Sequence, residues 1–209
     1  MKIIRIETEK DYQITENITR EAFWNVYQPG CSEHYVLHKF RELPHYIPEL
    51  SLVMEIDGNI VAHIMYSKAE VVCDNGDIVP IMVFGPLSVL QEHQGKGYGG
   101  ELISYSMDKA KDMGFGAIAI TGDPAYYKRF GFVSGSSVNV YYAEMPRNEE
   151  AAFFMIKELI PGYLRGVVGT YFNPEGYLVD SVDVDIFDGS FSLKEKKVLP
   201  GQLQSEVKN

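Results

Sequence analysis

The first half of the chain contains apolar runs whose punctuation is typical of antiparallel strands. Residues 2–7 form the first run. A longer run, 51–72, is divided by Asp57-Gly58-Asn59, which is a hairpin signal. A further turn at 74–76 leads into the apolar run 78–90. Because short turns join antiparallel strands, an antiparallel meander is predicted here.

Helical periodicity occurs on both sides of that meander. Apolar residues four apart predict a first helix with Thr8 as its N-cap, and a shorter helix is predicted from Ser32 to Arg41. The first helix has as its apolar face Ile14, Ile18, Ala22 and Val26. A third helix, ended by Gly114, has as its apolar face Leu102, Ile103, Met107, Ala110 and Met113. The run 117–121 then predicts a short buried strand.

The last third of the chain is less regular. Residues 136–144 predict a strand, whereas 150–160 fit either a helix or a strand. The segment 183–189 begins like a calcium loop, but its Asp-Gly pair comes one residue late, so that interpretation is rejected. The charged tail 194–209 is predicted to be partly flexible.

Composition favours one globular domain with a substantial core. The chain has 209 residues, 45% of them hydrophobic, and a net charge of −10, which argues against nucleic-acid binding. The apolar run 78–90 contains two prolines and is too short to span a membrane. No signal peptide is evident, and Cys31 and Cys73 have no metal-ligand spacing. A cytoplasmic protein with no membrane segment and no metal is therefore expected.

A glycine-rich segment precedes the third helix and permits two interpretations. Gly95, Gly97 and Gly100 match G-x-G-x-x-G, the dinucleotide fingerprint, and Asp123 lies where a ribose-binding acid would follow. Such glycines let backbone N–H groups approach an anion at a helix N-terminus. However, a dinucleotide fold begins with this motif and continues with βαβ units, whereas here a meander precedes it.

The second interpretation also explains residues outside that fingerprint. Residues 94–99 read Q-x-x-G-x-G, and 125–132 read AYYKRFGF, which contains Tyr-x-x-x-Gly-Phe. In this spacing the chain resembles the GNAT superfamily of N-acetyltransferases over about residues 2–140. The resemblance implies an α/β GNAT fold: a mixed central sheet with an antiparallel N-terminal meander, flanking helices, and strands splayed at the cofactor site. Gly85-Pro86 predicts the splay, because proline interrupts a sheet ladder.

The resemblance also implies the site residues. The glycine loop would bind the pyrophosphate of acetyl-CoA, and the end of the preceding strand would bind its pantetheine. The backbone N–H of Leu87 would stabilise the oxyanion, and Tyr127 would protonate the departing thiolate. The full set of implied cofactor contacts is Leu87, Ser88, Val89, Gln94, Gly95, Lys96, Gly97, Tyr98, Gly99 and Gly100.

No general base is assigned. Some members of the family use a glutamate at the position of Val83, which cannot accept a proton. His63, Glu70, Asp123 and a chain of water molecules all stay open, although Asp123 before Pro124 is also typical of a helix N-cap.

The chain is therefore predicted to be an acyltransferase that moves an acetyl group from acetyl-CoA to a primary amine of a small molecule or peptide. The alternatives are a catalytically silent CoA-binding regulatory module and a nicotinamide oxidoreductase. Residues 1–165 would form the acetyltransferase domain. Residues 166–209 would form a C-terminal extension packed on it, with 161–177 reaching over the acceptor site. The resemblance leaves a homodimer open.

Overall fold

The N-terminal strands form the predicted antiparallel meander. The computed structural model describes residues 1–203. The first four strands are β1 (Lys2–Ile6), β2 (Leu52–Ile56), β3 (Asn59–Cys73) and β4 (Ile78–Val89). Successive strands pair antiparallel, and short turns join β2 to β3 and β3 to β4.

The remaining strands extend the sheet beyond β4 and make it mixed. The fifth strand is parallel to β4, and the eighth is antiparallel to the fifth, so the order is β1-β2-β3-β4-β5-β8-β6. The ninth strand pairs with β3 and with the seventh. These strands are β5 (Ala117–Thr121), β6 (Val133–Ser134), β7 (Val140–Tyr142), β8 (Phe154–Glu158) and β9 (Gly169–Tyr171). The α/β fold with a mixed sheet is confirmed.

Five helices within residues 1–203 flank the sheet: α1 (Tyr12–Phe23), α2 (Glu33–Phe40), α3 (Tyr98–Asp112), α4 (Pro124–Tyr127) and α5 (Ser181–Asp188). Consecutive side chains of β4 show that they cover both faces. Leu87 lies against the start of α3, whereas Ser88 is hydrogen-bonded to Thr19 of α1 at 2.8 Å. Because neighbouring strand residues point to opposite faces, α3 and α1 lie on opposite sides of the sheet.

The core-facing side of α3 largely follows its predicted pattern. Leu102, Ile103, Met107 and Ala110 are buried, but Met113 is 40% exposed because the helix ends at Asp112. Gly114 follows in the left-handed region, as predicted for the helix end.

The predicted apolar face of α1 is wrong. Ile14 and Val26 are each 48% exposed, and the helix ends at Phe23, before Val26. Only Ile18 of that face is fully buried. The buried side of α1 is mainly polar and includes Thr15, Glu16, Thr19 and Arg20. Polar side chains can occupy it because the elements packed against α1 supply hydrogen-bond partners.

A buried ionic network joins α1 to α2 and the meander. The carboxylate of Glu7 accepts hydrogen bonds from Thr15 at 2.5 Å, Arg41 at 2.8 Å and Ser51 at 2.8 Å. Burial opposes ionisation of Glu7, but the neighbouring His63 and Arg41 and the hydrogen bond from Thr15 hold its pKa well below the ordinary value. The network therefore keeps a fully buried carboxylate charged.

The C-terminal part of the described chain packs against the sheet and α1. The segment 150–160, left open between helix and strand, contains β8, and the predicted strand 136–144 is reduced to β7 after a 3-10 turn. Most of the rejected calcium-like loop lies in α5. Residues 194–203 contact α1 and the segment after it, where Trp24 donates to the Glu195 carbonyl. The rest of the predicted flexible tail, 204–209, lies outside the described residues, and the domain boundary at 165 stays a prediction.

Among residues 1–203, no helix combines the length and apolar character needed to cross a membrane.

The ionic network generates a stability prediction. We expect Arg41→Met to lower the free energy of unfolding by about 3 kcal/mol, because it leaves the buried carboxylate of Glu7 without its guanidinium partner. The depressed pKa of Glu7 stabilises the fold at neutral pH, and that stabilisation is lost as the pH falls. The deficit of the variant, measured by urea denaturation, should therefore shrink below about pH 4.

Arg147→Met is the matched control, because Arg147 also pairs with a carboxylate, that of Asp74, but does so at the surface. Solvent screens that pair, so its loss should leave the urea midpoint nearly unchanged. Equal destabilisation by the two substitutions would contradict the importance assigned to the buried network.

Candidate active site

The strands β4 and β5 separate where the sequence predicted a splay. Their pairing is limited to Met82 with Ile118 and Val83 with Ala119. On the other side of β4, the register with β3 shifts across Gly85 and Pro86. Beyond Val83, therefore, β4 runs on with no ladder to β5, and we call this unpaired stretch between the two strands the gap.

The glycine loop lies at the same end of β4. The side-chain amide of Gln94 donates to the Val89 carbonyl at 3.0 Å, which ties the loop to the strand. Gly95 and Gly97 have φ values of 73° and 85°, a region that favours glycine. A Cβ atom at either position would meet nothing within 4 Å. The loop thus presents open space at the N-terminus of α3, whose first N–H groups favour an anion.

The next two glycines are close-packed instead. A Cβ on Gly99 would lie 3.1 Å from the Tyr126 hydroxyl and 3.5 Å from a Val89 methyl, and one on Gly100 would lie 3.1 Å from the Phe130 ring. The start of α3 therefore rests against both the end of β4 and the segment containing α4. This contact brings the two sequence motifs together.

The other residues implied as cofactor contacts differ in how exposed their side chains are. Lys96 is exposed and Tyr98 is half-buried. Ser88 is buried and its hydroxyl is hydrogen-bonded to Thr19 on the α1 face. Only the backbone of Ser88 is therefore available on the side of the gap.

Tyr127 lies in α4, beside the gap, and is held by aromatic neighbours. Its ring is 5.8 Å from that of Phe84 and 6.0 Å from that of Phe132. Gly122 makes room for it, because a Cβ there would lie 2.6 Å from the tyrosine ring. Burial raises the pKa of Tyr127, and no hydrogen bond within residues 1–203 uses its hydroxyl. The hydroxyl is therefore a protonated group free to bind a ligand.

The candidate bases occupy different environments. His63 is fully buried and hydrogen-bonded to Ser51. Glu70 is exposed and lies opposite Pro80, far along β4 from the gap. Asp123 accepts the Ala125 N–H at 2.8 Å and is the predicted N-cap of α4. None of the three is singled out by its geometry.

Sequence reasoning missed two contributions to this region. The hydroxyl of Tyr177 donates to the Gly85 carbonyl at 3.0 Å across 92 residues of chain. Tyr27, in the segment between α1 and α2, lies close enough to Glu33 and Asp123 for their charges to assist burial in raising its pKa. No local pattern could indicate either contact, because each depends on how distant segments pack.

Within the described residues, no group of three or more His, Cys, Asp or Glu side chains is placed to hold a metal ion. The dinucleotide interpretation also lacks its framework. It requires successive parallel strands, whereas β4 is antiparallel to β3 and parallel to β5 alone.

Comparisons with known proteins point to one family. The acetyltransferase (GNAT) family model matches residues 17–132. The uncharacterized N-acetyltransferase YjhQ of Escherichia coli strain K12 is 34% identical over 115 residues, which are 54% of this chain and 62% of YjhQ. The matched region thus spans less than two thirds of that relative.

Two solved structures share the fold. The GNAT family N-acetyltransferase YhbS from Escherichia coli, in complex with CoA, has a TM-score of 0.73 and 24% identity, over 84% of this chain and 91% of that chain. A GNAT family acetyltransferase from Brucella melitensis, in complex with acetyl-CoA, has a TM-score of 0.68 and 25% identity, over 85% of this chain and 99% of that chain.

Proposed function

The chain belongs to the acetyltransferase (GNAT) family, whose members are acetyl-CoA-dependent acyltransferases, and on that premise we propose that it acetylates a primary amine by direct attack. The acceptor would be a small molecule or a peptide. One observation carries the proposal: the open glycine loop, the gap between β4 and β5, and Tyr127 all meet at one end of the sheet.

The glycine loop would hold the pyrophosphate of acetyl-CoA. The open space at Gly95 and Gly97 lets an anion reach backbone N–H groups, and the N-terminus of α3 adds partial positive charge. Lys96, exposed in the same loop, would add a point charge. The two structural relatives, which are in complex with CoA and acetyl-CoA, support acetyl-CoA as the cosubstrate.

The gap would hold the pantetheine arm beside the backbone of Leu87, Ser88 and Val89. An extended amide-bearing arm can hydrogen-bond to an unpaired strand as an added strand would. The N–H of Leu87 would then donate to the thioester carbonyl and stabilise the negative charge that develops on its oxygen during attack.

Tyr127 would donate to the sulfur of the departing thiolate. An ordinary phenol has a pKa near ~10 and a thiol near ~8.5, so full proton transfer from tyrosine is already slightly uphill. Burial raises the pKa of Tyr127 and makes that transfer less favourable still. Tyr127 therefore acts mainly by hydrogen bonding to the developing thiolate.

The attacking amine must lose a proton, and no single acceptor is assigned to it: His63, Glu70, Asp123 and a water chain all stay open. The two cysteines are unpaired, which fits the reducing cytoplasm that we propose as the location.

A CoA-binding regulatory module without turnover is the alternative that an activity assay distinguishes.

Thermal melting tests cofactor choice first. A ligand at about 100 times its Kd adds roughly 2.7 kcal/mol of stability, so acetyl-CoA and CoA should each raise the Tm by about 5–10 °C. NAD(H), tested in parallel, should leave the Tm unchanged. A shift with NAD(H) alone would refute acetyl-CoA as the cofactor.

The glycine loop can be tested with a pair of substitutions at opposite ends of α3. Gly97 and Gly114 both have positive φ, and a Cβ atom added at either position would meet nothing within 4 Å. Gly97→Ala and Gly114→Ala should therefore cost similar backbone strain, about 1 kcal/mol each. We expect the Kd for CoA, measured by calorimetry, to rise about tenfold or more for Gly97→Ala, a loss of ~1.4 kcal/mol.

Gly114→Ala should bind CoA as the unchanged protein does, because Gly114 lies at the far end of the helix. If both substitutions weakened CoA binding equally, helix destabilisation would explain the effect and the loop would lose its assigned role.

Removing the hydroxyl of Tyr127 tests its part in the reaction. We expect Tyr127→Phe to lower kcat by about tenfold to 10³-fold with little change in the KM for acetyl-CoA, since its hydrogen bond forms as the thiolate departs. Release of CoA in the presence of a panel of primary amines measures kcat. Tyr105→Phe, at an exposed tyrosine, is the control and should leave kcat unchanged. An unaltered kcat for Tyr127→Phe would remove Tyr127 from the mechanism.

A further inference from the structure

We propose that Tyr177, supplied by the segment after β9, is a positioning residue whose hydroxyl holds the Gly85 carbonyl and thereby orients the backbone N–H of Leu87. This inference rests on the proposed function, in which that N–H stabilises the oxyanion. The contact joins the C-terminal part of the chain to the strand at the reacting thioester.

The sheet itself does not hold Gly85 in place. Phe84 pairs with Tyr66 and Leu87 pairs with Ile64, so two residues of β4, Gly85 and Pro86, lie opposite a single residue of β3. Pro86 has no N–H to donate, and β5 has already left the ladder. The Gly85 carbonyl instead accepts the Tyr177 hydroxyl at 3.0 Å.

Tyr177 is itself firmly held. Its ring packs on Phe40 of α2 with 4.6 Å between the ring centroids. The preceding Gly176 presses on the same region, where a Cβ would lie 2.6 Å from Leu43. One residue earlier, the Glu175 carbonyl is 2.6 Å from the His45 imidazole. These contacts give the hydroxyl a defined position, and burial raises its pKa still further above neutral.

The position of Gly85 controls the next amide along the strand. If its carbonyl turns, the Gly85–Pro86 unit turns with it, and the N–H of Leu87 no longer points at the thioester carbonyl. Displacing a catalytic group by about 1 Å costs up to about 10²-fold in rate. CoA lacks the acetyl carbonyl, so its binding should not depend on this alignment.

The matched pair Tyr177→Phe and Tyr163→Phe tests the inference. Tyr163 also donates its hydroxyl to a β4 carbonyl, that of Pro80, at 2.6 Å, but far from the gap. Turnover of acetyl-CoA with the amine panel gives kcat, and calorimetry gives the Kd for CoA. Turnover is expressed per site that binds CoA, so an unfolded fraction does not count as lost catalysis.

We expect Tyr177→Phe to lower kcat by about tenfold to 10²-fold while the Kd for CoA changes less than about twofold. Tyr163→Phe should change neither quantity. Equal kcat values for the two variants would overturn the positioning role, and so would a Tyr177→Phe variant whose only defect is weaker CoA binding.

Measurements on the unsubstituted protein distinguish a failure of this inference from a failure of the proposed function. If it binds CoA but turns over acetyl-CoA with no amine of the panel and not with water, the proposed function fails, and the role of Tyr177 fails with it. If it is active and only Tyr177→Phe behaves as the control does, the failure belongs to Tyr177 alone.

Discussion

The separation of β4 from β5 is the constraint on which the rest of this molecule depends. Two parallel strands that begin as ladder partners part after Val83, and the irregularity at Gly85 and Pro86 stops β4 from continuing a regular ladder with β3. Backbone groups released in this way must find other partners. One of them, the Gly85 carbonyl, accepts a hydrogen bond from Tyr177, and the others would pair with the extended, amide-bearing arm of the proposed cofactor.

The two faces of the sheet are held to their helices by different interactions. On the α3 face, close packing at Gly99 and Gly100 holds the helix start against β4 and the segment containing α4, so that the glycine loop and Tyr127 lie at one gap. On the α1 face, a buried ionic network around Glu7 joins α1, the meander and Arg41. A network of this kind requires every partner in place, because a buried carboxylate without its cation is strongly destabilising. The segment after β9 also packs on the α1 face, and its Tyr177 reaches the gap from there.

Local patterns predicted the parts of the fold whose physics is local. The hairpin at Asp57-Gly58, the end of α3 at Gly114 and the N-cap at Asp123 follow from backbone freedom and side-chain hydrogen bonding within a few residues. The α1 face was wrong because periodicity counts apolar residues only. Thr15 and its polar neighbours are buried there through partners on other elements, which a period-based pattern does not register.

Residues adjacent in the chain were enough to predict the order of the elements as far as β5, the break at Gly85-Pro86 and the glycine loop before α3. The motif spacing of the sequence also identified the family. The convergence of distant groups on the gap follows from packing instead. Tyr177 meets Gly85, and Tyr126 meets Gly99, because sheet order and helix packing juxtapose segments that no spacing rule connects. Contacts of that kind are set by packing of the whole chain, and a single sequence carries no local signal for them.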